Sequence, residues 1–483
     1  MSKKDERASY RSPLPARAAG PAMSYLFSDE FRFKTWRRLW IALAEAEREL
    51  GLPITQTQIA EMKRAADNIN YAVAERIERQ TRHDVMAHVK AFGQQCPKAK
   101  GIIHLGATSM FVVDNTDLIR MREGLRLVQG KLAKLIDLLG RFAAKYRRLP
   151  TLGFTHFQPA QPTTVGKRAC LWAQDFVLDV EEIETRLARL RFRSVKGTTG
   201  TQASFLALFN GDERKVVRLE KLIAKKMGFA GTYPVTGQTY PRKVDAQVLA
   251  ALSGIAQSAS KMTNDIRLLQ GLKEIEEPFG RKQVGSSAMA YKRNPIWSER
   301  IGALARFVIT NEQNAAVTAA TQWLERTLDD SGNRRLALAE GFLATDGVLN
   351  LCLQVTDGLV VNKAQIAKRL AAELPFMATE EILMAAVKAG GDRQELHERI
   401  RVHSQAAARA VKQEGADNDL LQRLAGDDAF AAVRGMLKSM TDPRRFVGRA
   451  PSQVSEFLRD VVAPIRRKYR AAMTRLQEER ITV

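Results

Sequence analysis

Residues 125–142 read LRLVQGKLAKLIDLLGRF. The apolar positions Leu125, Val128, Leu132, Leu135, Leu139 and Phe142 recur at alternating steps of three and four. That spacing puts them along one side of an α-helix, in a seam long enough to pack against other long helices. Val248, Leu252, Ile255, Ala259, Met262, Ile266 and Leu269 repeat the pattern, and LWAQDFVLDVEEIETRLARLRF, residues 171–192, has the same helical period. Together these runs predict an all-α fold with a central long-helix bundle over residues 112–364. Bundles of this kind often continue across subunits, so a homo-oligomer is expected.

Outside the bundle the pattern shortens. SDEFRFKTWRRLWIALAEAERELG reads as one capped helix, with Ser28 and Asp29 at its start and Gly51 and Pro53 at its stop. After residue 364 the helices are brief. The expected organisation is an N-terminal helical domain over residues 1–111, the bundle over 112–364 and a C-terminal helical domain over 365–483.

A chain of 483 residues buries an ample core without covalent staples. Its three cysteines, Cys96, Cys170 and Cys352, are far apart and form no CxxC pair. That argues against a disulfide framework or a cysteine zinc site and suits a reducing compartment. No uninterrupted apolar run approaches the roughly 20 residues of a membrane span. The opening stretch is charged and proline-rich, without the apolar centre of a signal peptide. A cytoplasmic protein is expected.

The formal charge of +23 is high. Such a field attracts anionic partners. The cations are dispersed among glutamates in helical patterns, so a solvated basic surface is expected rather than a nucleic-acid stripe.

Chemistry in a helical protein collects where irregular segments interrupt it. Four interruptions qualify: RHDVMAH from Arg82 with HLGATSM behind it, PTLGFTHFQPAQPTTVGKR from Pro150, GSSAMAYKRNP from Gly285, and ERTLDDSGNRR from Glu325. His156 lies outside any periodic pattern and is either a packing residue or a general acid or base, since imidazole titrates near neutrality. His83 and His88 are five apart rather than four, which makes a zinc pair a poor reading. Arg82 and His83 beside Asp84 suit anion recognition, while His88 can simply face the core. Arg326, Ser331 and Arg335 suit phosphate or carboxylate recognition, or else a helix end whose arginines pair with Asp329 and Asp330. In the Gly285 stretch, two serine hydroxyls stand beside Lys292 and Arg293, and composition leaves a closing lid and a solvated loop both open.

GSSAMAYKRNP resembles the signature loop of the fumarase/aspartase superfamily. With TLGFTHFQPAQPTTVGKR, KGTTGTQASF, EEPF and WLERTLDDSGNRR, the chain is similar to its adenylosuccinate lyase family, on the branch that includes the animal enzymes. The likeness runs from about Tyr10 to about Pro464. It implies a three-domain, almost wholly helical subunit and a homotetramer whose active sites are shared between subunits. It also implies two cofactor-free and metal-free anti β-eliminations of fumarate in purine synthesis, one from adenylosuccinate and one from the succinyl-carboxamide imidazole ribotide.

By the same resemblance Ser286 matches the catalytic base, with Ser287 as the alternative register, and His156 the general acid. Lys292, with Asn294, would hold the developing aci-carboxylate. Arg17, Arg82, His83, Asp84, Thr108, Ser109, Gln238, Arg300, Arg326, Ser331 and Arg335 match substrate-binding positions, and Glu299 a group that orients a histidine. Small anionic nucleotides are the implied partners, with no membrane and no nucleic acid.

Two letters depart from the pattern. Ala290 stands where proline is usual in the loop, which enlarges the ordering cost of closure. Ala18 stands where a tyrosine usually follows the N-terminal arginine. The rival readings are a sister lyase acting on another succinyl compound, such as argininosuccinate, and a non-catalytic binding protein on the same scaffold.

Overall fold

The structure, a computed structural model, describes residues 10–280 and 282–476. Of the proline-rich opening stretch, residues 1–9 therefore lie outside it. Five long helices form the body: α1 Ser109–Lys145, α2 Val165–Arg189, α3 Lys243–Gly271, α4 Ile296–Ala320 and α5 Asp330–Asp357. α1 packs on α2 and α5, while α3 packs on α2, α4 and α5. The predicted seams are the buried ones. Leu125, Val128, Leu132, Leu135 and Leu139 are fully enclosed, as are Leu252, Ile255, Ala259, Met262 and Ile266. Each such leucine or isoleucine contributes about 1.5–3 kcal/mol of transfer free energy. α5 carries an 18-residue window of mean hydropathy 1.4, and 78% of that window is buried inside the protein. It is a core helix, and Gly124 lets α1 approach it, because a Cβ there would lie 2.7 Å from the Phe342 ring.

The expected N-terminal helix spans Asp29–Glu49, with Ser28 Oγ accepting from the Phe31 N–H at 3.1 Å and Gly51 following at φ +97°. Trp36 and Trp40 join its buried face to the bundle core. Towards the C-terminus a second core gathers Ile382, Leu396, Leu420 and Phe430. The chain then returns to the bundle, where Leu458 and Val462 pack on Gly140 of α1. Cys96, Cys170 and Cys352 are buried and unpaired with one another.

Glu47 is an acidic side chain inside this packing. It is 0% exposed, and among the described residues neither carboxylate oxygen has a hydrogen-bond partner. Burial pushes its pKa up to about 9. A carboxyl raised in the folded state contributes stability that is complete below its unfolded value near 4.5 and is lost as pH rises towards 9. Glu47→Gln, which carries no such proton, is therefore expected to gain on the parent by about 4–5 kcal/mol between pH 4 and pH 8. Urea unfolding at both pH values checks this, and a pH-independent difference would contradict it.

One expectation fails locally. The segment from Pro150, read as an irregular interruption, is a β-hairpin: β1 Pro150–Thr155 pairs antiparallel with β2 Gln158–Thr164. Its turn residues His156 and Phe157 have φ of 54° and 58°. A two-residue hairpin turn with both φ positive normally takes Asn-Gly, so the sequence gives no turn signal. The prolines at 150, 159 and 162 are tolerated in these strands because the ribbon has only two strands, each an edge.

Candidate active site

The Gly285 stretch forms the connection between α3 and α4. Ser286 is half-buried, whereas Ser287, Tyr291 and Lys292 are exposed. Ser286 Oγ accepts hydrogen bonds from the backbone N–H groups of Ala288 at 3.3 Å and Met289 at 3.1 Å. Two fixed donors therefore converge on that oxygen, as in a serine-initiated turn. Gly285 is required where it stands, because a Cβ would collide with the Lys292 carbonyl. Asn294 braces the same point by donating Nδ2 to the Gly285 carbonyl at 2.8 Å. Glu299 lies in the first turn of α4, and Arg300 stacks over Trp297 at 5.4 Å.

His156 stands exposed at the hairpin tip, with Phe157 stacked on Phe154 beside it. It is not the packing histidine that the sequence left open. The hairpin base is held firmly: Arg168 Nη2 donates to the Leu152 carbonyl at 2.5 Å, and Thr151 Oγ1 to Glu274 at 3.5 Å. Glu274 is buried and also pairs with Arg369 at 2.9 Å. Burial raises its pKa in spite of Arg168 and Arg369 nearby.

A third group is brought together from distant sequence. Arg82 adopts the left-handed conformation (φ 51°) that ends one helix, and His83 caps the next, Asp84–Gln95. His83 Nδ1 accepts from the Met86 N–H at 3.4 Å, and its Nε2 lies 3.3 Å from Ser109 Oγ. Thr108 is the N-cap residue of α1. Asp84 Oδ2 accepts from Arg32 Nη2 at 3.0 Å and faces Arg335 Nη2 at 3.9 Å. Arg32, Ser331 and Arg335 share a cavity of about 230 Å3. Arg326 Nη1 donates to Gln238 Oε1 at 2.8 Å. Arg32 is the member that sequence reasoning missed, because it sits inside an ordinary helical pattern.

Behind this group lies a largely buried ionic layer, with Asp117 open to the cavity. Arg242 bridges Asp330 at 2.6 Å and Asp114 at 3.0 Å. Arg334 reaches Asp245 at 2.6 Å, Asp117 at 3.0 Å and the Tyr240 hydroxyl at 2.5 Å. Asp330 thus belongs to Arg242, not to the arginines of its own segment. His88 is core: it stacks on Phe33 at 3.7 Å, and its pKa falls to about 4 through burial, with Arg32 and Arg37 adding to the shift. Among the described residues no group of three or more His, Cys, Asp or Glu side chains is arranged to hold a metal ion.

Arg17 ends the short helix Pro13–Arg17. Ala18 beyond it is buried against α5, where a Cβ on Gly347 would lie 2.7 Å from its own Cβ. Position 18 is a packing contact in this chain, with no room there for an aromatic ring. Among the described residues, no hydrogen bond or ion pair joins Ser286, His156 and the Arg82–Asp84 group to one another within one chain.

Residues 16–310 match the family described as Lyase, and residues 375–457 match the adenylosuccinate lyase C-terminus. The adenylosuccinate lyase of Schizosaccharomyces pombe is 50% identical over 97% of this chain and 98% of its own length. The chain belongs to the adenylosuccinate lyase family. The Saccharomyces cerevisiae member is 51% identical over 93% of this chain and 94% of its own. A fumarate lyase structure from Mesorhizobium shares the fold at a TM-score of 0.78 and 23% identity, covering 94% of this chain and all of that one. The all-α superfamily architecture expected from the bundle seams is the one observed, and the full-length relatives set aside both the sister-lyase and the non-catalytic readings.

Proposed function

We propose that this chain carries out its family's elimination with Ser286 as base and His156 as acid. The chain is a carbon–nitrogen lyase that releases fumarate from adenylosuccinate, giving AMP, and from the succinyl-aminoimidazole-carboxamide ribotide. The reaction removes a weakly acidic proton from the carbon beside a carboxylate, on the face opposite the C–N bond. The electron pair builds an aci-carboxylate, then expels the nitrogen as the new C=C bond of fumarate forms. A serine oxygen can take that proton only as a stabilised alkoxide. The pair of N–H groups converging on Ser286 Oγ is the observation that carries the assignment. Lys292 supplies positive charge for the aci-carboxylate, and His156 protonates the departing nitrogen.

The substrate's phosphate and two carboxylates suit Arg17, Arg82, His83, Arg300, Arg326, Ser331 and Arg335, with Asp84 keeping Arg335 oriented. Thr108, Ser109, Gln238 and Asn294 supply neutral hydrogen bonds. Exposed Leu171 and Leu178 on α2, Leu268 on α3, and Phe307 and Val317 on α4 support association through the bundle. That no hydrogen bond or ion pair joins the three groups among the described residues of one chain supports a homotetramer whose sites draw on several subunits.

His156→Ala is expected to lower kcat for fumarate release by about 100-fold while leaving thermal stability unchanged. Water reaches the exposed hairpin tip and replaces part of the acid's work. A variant retaining half the parent kcat would remove His156 from the mechanism.

A further inference from the structure

Gln270 lies in the last turn of α3, and one planar amide there touches both feet of the loop that carries Ser286. Its Oε1 accepts from the Glu277 N–H at 3.1 Å, and its Nε2 donates to the Arg293 carbonyl at 2.9 Å. Between those feet the chain has no proline after Pro278, so no ring restrains the crown of the loop. The two feet also meet each other directly. The Glu277 carboxylate, 3% exposed, accepts from the Trp297 N–H at 3.0 Å and from the Ser298 N–H and Oγ at 2.9 Å, which caps α4. Arg293 lies over the Phe279 ring and reaches Glu276 at 3.7 Å. Gln270 adds the hydrogen bonds that tie both feet to the end of α3.

Resting on the reading of Ser286 as the base, we propose that Gln270 is a positioning residue for the elimination. Its amide clasps the loop's two feet, and the clasp keeps Ser286 and Lys292 presented for closure over substrate. The requirement is for a donor and an acceptor in one plane. Glutamate in its place would set a second acceptor against the Arg293 carbonyl, and methionine would keep the packing while losing both bonds. Without the clasp the loop samples more open arrangements. Apparent affinity falls by the fraction of protein that remains competent, so KM moves more than kcat.

The test uses the full-length protein and the Gln270→Met, Gln270→Glu and Gln270→Ala variants. Amide hydrogen exchange across residues 283–293 is measured without substrate, alongside fumarate release. All three variants are expected to exchange about tenfold faster in that segment. Their kcat/KM should fall about tenfold, mainly through KM, while the melting temperature stays unchanged. Unchanged exchange in Gln270→Met overturns the clasp. Faster exchange with kcat/KM within twofold of the parent overturns its part in the reaction. Failure of the base assignment is read separately: Ser286→Ala retaining turnover would displace Ser286 and leave the exchange result standing.

Discussion

Ser286→Ala is expected to lower kcat by about 1,000-fold on adenylosuccinate and to leave the fold intact. The side chain lies on a connection outside both hydrophobic cores, and its removal frees only the Ala288 and Met289 N–H groups near solvent. Substrate binding by the arginine group is untouched, so KM should change little. An interaction made only in the transition state lowers kcat and kcat/KM together. The loss exceeds that for His156 because water can protonate a departing nitrogen, whereas it is too weak a base for the carbon proton. Ser287→Ala is the internal control: Ser287 is exposed, no described donor converges on its oxygen, and its loss should cost less than about fivefold. If Ser287→Ala is the dead variant, the register of the base shifts by one. Mixing Ser286→Ala with His156→Ala protein under subunit exchange should restore a fraction of parent activity, because a mixed site can pair an intact loop with an intact hairpin. No recovery in hybrids of verified composition would count against sites shared between subunits.

The bundle was legible because its signal is periodic. Leu125 to Phe142 announce a buried seam whatever lies opposite, and burial follows from spacing alone. The same logic cannot see partners. Arg32 reads as one more cation on a helix, and it becomes part of the site only because Asp84, 52 residues on, folds against it. Asp330 looked like the local counter-ion of Arg326 and Arg335, yet it serves Arg242, 88 residues earlier in the chain. The hairpin was hidden for another reason. His156 and Phe157 hold positive φ without glycine or asparagine, a conformation costing about 1–3 kcal/mol per residue that only the surrounding structure sustains. Sequence motifs thus pointed to the segments of the site, while the geometry within each segment came from tertiary contacts.

That buried layer behind the site supports the second large prediction. Arg242→Met is expected to destabilise the folded chain by about 3–5 kcal/mol, the usual effect of removing one partner from an enclosed ion pair. Two guanidinium groups face four carboxylates here, those of Asp114, Asp117, Asp245 and Asp330. Burial opposes the charge on Arg334, and the surrounding carboxylates outweigh it, so its pKa stands well above the ordinary arginine value. Without Arg242, Asp114 and Asp330 lose their cation while both stay enclosed. Each is then a buried carboxylate without its partner, which is what makes the loss large. Adding Asp330→Asn should recover part of it by removing one uncompensated charge. Asp330 opens α5 directly before Ser331, so the variant should also raise KM more than it lowers kcat. Urea unfolding of parent and variants measures the first effect. A deficit below 1 kcal/mol would show that this layer is not held by Arg242.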